Sequence, residues 1–360
     1  MQLDHYVTLG RSGLRVSPFA LGAMTFGEDP GGAGTTVEES EKILATYLDL
    51  GGNFIDTANF YTNGHSEKTL GDYFAAQPGR REHVVLASKF FGNMFPGDPN
   101  GGGAGRTSIR AQLDESLRRL QTDYLDVYYL HNWDRHTPIE ETLSTLDDLV
   151  RAGKIRYIGF SNTPAWFTAQ AQTTALLKNW TPLIVLQVEY SLLARTVEGE
   201  LAPFALDQGI ALTPYSPLSH GFLSGKYRRG TEVTDSARTA YVGSPTEAQY
   251  VVIDAVAEIA DELGTTSAAV ALAWLRARQG TVVPIVGARR VEHLENNLAA
   301  LAVTLTPEHL STLDEVSAPT LNYPAPMHGA PRAMLQFAGA TVDGEPSTVY
   351  PPLLQSDVRY

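Results

Sequence analysis

NFIDTANFY, residues 53–61, sets two apolar residues, Phe54 and Ile55, directly ahead of an acid, Asp56, and a phenol, Tyr61. A short apolar run that stops on polar chemistry is what a buried parallel strand looks like where its carboxyl end delivers side chains. Two other runs repeat the pattern: VVLASKF carries Lys89 and LDVYYLHNW carries His131, each at or just past the end of an apolar stretch. In a closed parallel barrel all strands finish on one face. Four separate segments would therefore bring an acid, a phenol, an amine and an imidazole into one pocket.

The same rhythm extends outward in both directions. Apolar runs at 19–22, 54–55, 84–87, 125–130, 155–160, 184–188, 211–213 and 282–286 are eight candidate strands. Amphipathic segments at 37–50, 108–120, 139–151, 165–177, 203–208, 249–263 and 291–301 alternate with them. In the first of these, Val37, Ile43, Leu44, Tyr47 and Leu48 recur at helical spacing. Strands joined through crossover helices form a parallel sheet, and eight such units favour an α/β fold closed as a (β/α)8 TIM barrel over an open doubly wound sheet. Ahead of them, alternating apolar residues at 6–9 and 14–16 flank a turn at Arg11, Ser12 and Gly13, which predicts an N-terminal β-hairpin plugging one end.

Three stretches break the rhythm. Residues 92–106 contain GDPNGGGAG and read as a long loop, as do the Gly-, Ser- and Thr-rich residues 216–245. After Ala318, Pro319, Pro324, Pro326 and Pro331 exclude a long helix. The expected organisation is thus a barrel over 1–318 and an extended irregular tail over 319–360, packing on or near it.

Composition bounds the partners. Of 360 residues 43% are hydrophobic, enough for a large core, and the net charge of -13 is spread without a basic block, which argues against nucleic acid and for small molecules. Cysteine is absent, which removes thiolate nucleophiles, disulfides and cysteine metal sites. The opening MQLDHYVTLGRSG lacks the basic and apolar regions of a signal peptide, and no stretch approaches the ~18 apolar residues of a membrane helix. The reading is a soluble cytoplasmic protein without membrane association; its oligomeric state stays open.

Singly, the four polar residues decide nothing. Asp56 reads equally well as a strand-end cap, while Tyr61 reads more readily as a packed aromatic, Lys89 as a surface cation and His131 as a satisfied histidine. Together they specify proton transfer. A lysine ammonium about 4 Å from a phenol attracts its phenolate by about 4 kcal/mol at an effective dielectric of ~20, roughly three pKa units before desolvation opposes it. Tyr61 would then protonate a developing alkoxide, Asp56 would keep Lys89 charged, and His131 would hydrogen-bond a carbonyl oxygen, with no metal required. Further along, Ser161, Asn162 and Gln187 offer hydrogen bonds to a carboxamide, and Tyr215 a face for a flat heteroaromatic ring. The Gly287 turn, with Arg289 and Arg290 at a helix start, would suit a phosphate, though taken without the other segments it reads first as an ordinary capped helix with exposed arginines.

The ordered segments LGRSGLRVSPFALGAMTFG, NFIDTANFY, LASKF, SLRRLQTDYLDVYYLH, GKIRYIGFSN, YSPLSHGFLSGKY and VGARRVEHLENN resemble the aldo-keto reductase family. The resemblance implies a barrel that binds NADP(H) across its carboxyl face, with Asp56, Tyr61, Lys89 and His131 as the catalytic tetrad. It implies carboxamide contacts from Ser161, Asn162 and Gln187, stacking by Tyr215, and a pyrophosphate loop of Ser216, Leu218, Gly221 and Lys226. Gly22 joins the cofactor contacts, with Gly287 and Arg289 at the adenosine phosphate and Asn297 at the adenine. The chain departs from the family where many members have Gln and Glu: it carries His293 and Asn296, which alters the expected cofactor affinity or NADP preference.

Two functions are carried forward. The first is NADPH-dependent reduction of an aldehyde or ketone, reversible in principle, with Tyr61 as general acid. The alternative is a cofactor-binding regulatory or redox-sensing protein of the same fold with little turnover. For the substrate pocket, Met24, Phe26, Phe60, Phe90, Phe91 and Trp133 near the strand ends form a candidate apolar wall.

Overall fold

The computed structural model describes residues 2–28, 34–230, 243–355 and 357–358. The loop expected over 216–245 therefore lies partly outside the described residues, as do three positions of the tail. Eight parallel strands stand in the order β10-β3-β4-β5-β6-β7-β8-β9. They are β3 (Ala20–Gly22), β4 (Phe54–Asp56), β5 (Val85–Phe90), β6 (Leu125–Leu130), β7 (Ile155–Ser161), β8 (Leu183–Glu189), β9 (Ala211–Tyr215) and β10 (Ile285–Gly287). The ring closes between β9 and the approach to β10, where Leu212 bridges Val282 and Val283 N–H donates to Leu212 O at 2.8 Å. The chain folds as a (β/α)8 TIM barrel.

Strand alternation divides the core in two. Phe54, Val85, Ala87, Val127, Tyr129, Val185 and Ala211 point into the barrel, where the hairpin β1 (Val7–Thr8) and β2 (Arg15–Val16) adds Leu9 and Val16 from below. The hairpin seals the end where strands begin: Arg11 N–H donates to Gly209 O, just ahead of β9. Ile55, Leu86, Tyr128, Leu130 and Phe160 point outward into the layer shared with the helices.

Helices Val37–Asp49, Arg106–Leu120, Ile139–Arg151, Ala165–Lys178, Leu201–Gln208, Glu247–Glu262 and Val291–Leu298 fall on the segments read as amphipathic. Three others, His65–Ala75, Ser267–Arg276 and Pro307–Val316, occupy segments that the periodicity reading passes over. In the tail the prolines keep structure short, with an eight-residue helix at Ala330–Phe337 whose N-terminal turn holds a proline. Among the described residues no helix is long and apolar enough to cross a membrane.

Candidate active site

The inward parity that buries Phe54 also carries Asp56, two residues on, to the top of the barrel interior, and the same step from Ala87 gives Lys89. Gln187 continues the inward row from Val185, and His131 that from Tyr129, just past β6. Tyr61 arrives differently, opening a 3-10 turn (Tyr61–Gly64) in which Thr62, Asn63 and Gly64 take positive φ. Asp56 and Tyr61 thus share one strand exit. Three strands supply the four residues, not four separate segments.

Lys89 is fully buried. Its Nζ donates to Asp56 Oδ2 at 2.7 Å, to Thr57 O at 2.8 Å and to Tyr61 OH at 3.1 Å, using all three of its N–H groups. Gln187 Nε2 donates to Asp56 Oδ1 at 2.8 Å, so both carboxylate oxygens are engaged. A buried ion pair persists only when geometry and extra hydrogen bonds offset desolvation, and here every polar atom of the pair is satisfied. Burial pulls the Lys89 ammonium down, but Asp56 and then Tyr61 outweigh it and hold the pKa above the ordinary lysine value.

The phenol departs from the electrostatic expectation. Burial pushes Tyr61 up by more than the Lys89 charge pulls it down, and Asp56 adds to the upward push, so the group sits above the ordinary tyrosine value. Desolvation wins over attraction, and Tyr61 is a protonated phenol next to an ammonium. His131 is pushed down to about 2 by burial first and Lys89 second, so it is a neutral imidazole. Its Nδ1 is buried with no partner. A lone pair left there costs less than a stranded N–H, which assigns the proton to Nε2. Phe60 stacks on this ring at 5.0 Å, and Tyr61 meets it edge-on at 5.6 Å.

The second group of expected residues lines the far side of the same face. Ser161 is buried and its Oγ accepts from Asn162 Nδ2 at 3.1 Å. Asn162, at positive φ, also donates to His131 O at 3.0 Å and accepts from Tyr215 OH at 2.9 Å. These contacts tie the ends of β6, β7 and β9 together. After β9, Ser216, Ser219, His220 and Gly221 all take positive φ, which bends the chain sharply through Leu218 towards the exposed Lys226. Gly287 pairs with Gly22 across β10 and β3, and the space above Gly287 is open where a Cβ would stand. Gly22 is closed in, since its Cβ would meet Ile285 Cγ2 at 2.8 Å.

At the start of the helix Val291–Leu298, Arg289 Nε is buried without a partner. A buried guanidinium N–H without a partner, two residues past an open glycine, is a donor that the phosphate of a nucleotide would satisfy. Arg290 Nη2 lies 2.9 Å from His293 Nε2, Asn297 Nδ2 donates to Gly287 O at 3.2 Å, and Asn296 is exposed.

The apolar wall is redrawn by the structure. Phe26 and Phe90 are fully buried in the outer core layer, Phe90 because it falls on an outward-facing position of β5, so neither ring is open to a pocket. Met24 and Phe60 are exposed, and Trp133 is half-buried, edge-on to the exposed Trp166 at 5.6 Å. The sequence reading missed Asn59 and Gln112. Asn59 Nδ2 donates to Gly92 O and to Gln112 Oε1, both at 2.8 Å, and Gln112 Oε1 also accepts from Phe91 N at 2.9 Å. This brace holds the loop after β5, and a partner 53 residues away leaves no local signal in the sequence.

A parallel barrel that gathers an acid, an amine, a phenol and an imidazole at its carboxyl face has the arrangement of a barrel enzyme that moves protons. The comparisons agree: the Aldo/keto reductase family model matches residues 18–318, and the chain belongs to that family. It is 37% identical over 337 residues to an uncharacterized oxidoreductase of Bacillus subtilis, covering 91% of this chain and 98% of that one. It is 34% identical to a putative aryl-alcohol dehydrogenase of Saccharomyces cerevisiae, with 88% of each covered. An NADP(+) aryl-alcohol dehydrogenase of Phanerodontia chrysosporium is 35% identical over 84% of this chain and 83% of its own.

Proposed function

We propose that the protein reduces an aldehyde or ketone to an alcohol with NADPH, Tyr61 giving the proton to the carbonyl oxygen. The observation that carries this reading is the bond from the buried Lys89 Nζ to Tyr61 OH, backed by Asp56 on the other side of the ammonium. NADPH, when bound, supplies the two electrons as a hydride to the carbonyl carbon. Tyr61 holds its proton until negative charge grows on the oxygen, because burial keeps its pKa up. As the proton leaves, the Lys89 ammonium at 3.1 Å stabilises the phenolate without any heavy atom moving. His131, neutral and carrying its proton on Nε2, donates a second hydrogen bond to the same oxygen and fixes its direction. Ser161, Asn162 and Tyr215 would hold the nicotinamide, and Arg289 the adenosine phosphate.

NADP(H) as the cofactor draws on the stranded Arg289 Nε and on the NADP(+) relative. Aromatic carbonyls as the substrate class draw on the exposed rings of Phe60 and Trp166 and on the aryl-alcohol relatives. The test is Tyr61→Phe, assayed by NADPH oxidation across aryl and alkyl aldehydes. Turnover should fall by at least about a hundredfold, within the range general acid catalysis contributes, while NADPH affinity measured by fluorescence is kept. Unchanged turnover would remove Tyr61 from the mechanism. If the unmutated protein binds NADPH and consumes it with no carbonyl, the regulatory reading replaces this one.

A further inference from the structure

His293 has no part in the scheme above, yet it sits within the anion corner. It lies in the first turn of the helix Val291–Leu298, half-buried, with Nε2 2.9 Å from Arg290 Nη2. A guanidinium has only donors and keeps its charge, so Nε2 must accept and the imidazole is neutral, its proton on Nδ1. Among the described residues, the charges that face it are Arg289 and Arg290 ahead of the helix, Lys226 from the loop after β9, and Glu292 on its own helix. Glu39, on the helix Val37–Asp49 packed alongside, is engaged with Val291 N–H at 3.2 Å. Burial first, then Arg290 and Lys226, hold His293 below the ordinary histidine range. Three cations against one free carboxylate keep the ring unprotonated while the corner is empty of anions.

We propose that His293 couples phosphate recognition to proton uptake: a dinucleotide bearing a phosphate monoester at this corner draws one proton from solvent onto Nε2 and frees Arg290 to face the phosphate. The step rests on the reading of this corner as the adenosine phosphate site. One N–H bond forms on the ring, one bond to hydrogen in hydronium or the buffer acid breaks, and nothing is oxidised. A phosphate carrying up to two negative charges reverses the field that keeps the imidazole neutral, so the bound form favours imidazolium. The sign follows. His293 has a higher pKa in the complex than in the free protein, so affinity for the phosphorylated dinucleotide rises as pH falls through the pKa of the complex and levels off below that of the free protein. The same dinucleotide without the phosphate lacks the charge that drives this.

The test is calorimetric titration of the full chain with NADP+ and NAD+ between pH 8 and pH 6, in buffers of different ionisation enthalpy so that proton uptake is read directly. Kd for NADP+ should tighten by about tenfold, the equivalent of one unit of pKa displacement, with net proton uptake. Kd for NAD+ should change by less than about threefold. The phosphate's own titration near pH 6 is common to all variants, so His293→Gln isolates the ring: it should lose the proton uptake and flatten the pH dependence. His293→Lys, permanently charged, should bind NADP+ with an equally flat profile. Proton uptake retained in His293→Gln, or an NAD+ slope equal to that for NADP+, overturns the proposal. Equal affinity for NADP+ and NAD+ at every pH, with carbonyl turnover intact, overturns both this step and the phosphate corner while leaving carbonyl reduction standing.

Discussion

His131 shows how much one side chain owes to what surrounds it. Its position was legible, two residues along the inward row from Tyr129, but its state was not, because that depends on Phe60 stacked over it and Nδ1 shut away. The consequence is measurable. A histidine whose folded pKa lies near 2 against an ordinary 6.5 binds fewer protons folded than unfolded, so it contributes stability above pH 6.5 that is lost progressively as pH falls. The full slope is about 1.4 kcal/mol per pH unit, and the solvent that reaches part of the ring reduces it. Urea unfolding at pH 7 and pH 5 should show the unmutated chain losing about 1–2 kcal/mol more than His131→Gln. Equal losses in the two proteins would mean that the imidazole is solvated and free to protonate. Tyr61 teaches the same lesson in reverse: charge attraction read from sequence pulls the phenol's pKa down, and burial, whose extent sequence does not report, pushes it up by more.

At the scale of elements, the strands were readable because short apolar runs recur eight times between amphipathic segments, whereas the helices were readable only where one face meets water. The helix Ser267–Arg276 is buried in nine of its ten positions, so its apolar residues show no stripe for a periodicity argument to find. His65–Ala75 was obscured by Gly71 in its middle, and the structure explains that glycine. A Cβ at Gly71 would stand 2.1 Å from Arg119 O and 2.8 Å from Leu120 C, where the helix Arg106–Leu120 crosses it backbone to side. Gly71→Ala gains up to about 1 kcal/mol of helix propensity in isolation. Overpacking against a backbone that cannot yield costs about 1–3 kcal/mol and more at so short an approach, so the net change should be destabilising. Chemical denaturation reads the sign directly, and a stabilised variant would show that the two helices separate at little cost.

For the whole molecule, barrel closure and the tail are separate problems, and the sequence addressed them unequally. Eight alternating units implied closure, yet the seam is a single bridge at Leu212 and Val282, too slight for any local pattern to reveal. The chain is fastened to the barrel just before the tail starts. Arg195, nearly buried, donates to Asp314 O at 2.9 Å and to Ser317 Oγ at 2.7 Å while paired with Glu198. Beyond that clamp, Tyr323, Met327, Leu335 and Leu354 are exposed, and Ala333 alone in the helix Ala330–Phe337 is buried. A segment that buries so little apolar surface contributes little to stability. Ending the chain at Ala318 leaves the Arg195 clamp whole and should shift unfolding stability by less than about 1 kcal/mol, with NADPH binding retained. Leu321 and Ala325 nevertheless stand within reach of Gly199, in the connection between β8 and the helix Leu201–Gln208, where a Cβ would lie 3.5 Å from Leu321 Cδ2. That contact puts the start of the tail beside the carboxyl face, so the truncation should act on KM for bulky carbonyls and spare that for small ones. A loss of stability above about 2 kcal/mol would show instead that the tail is part of the barrel's own fold.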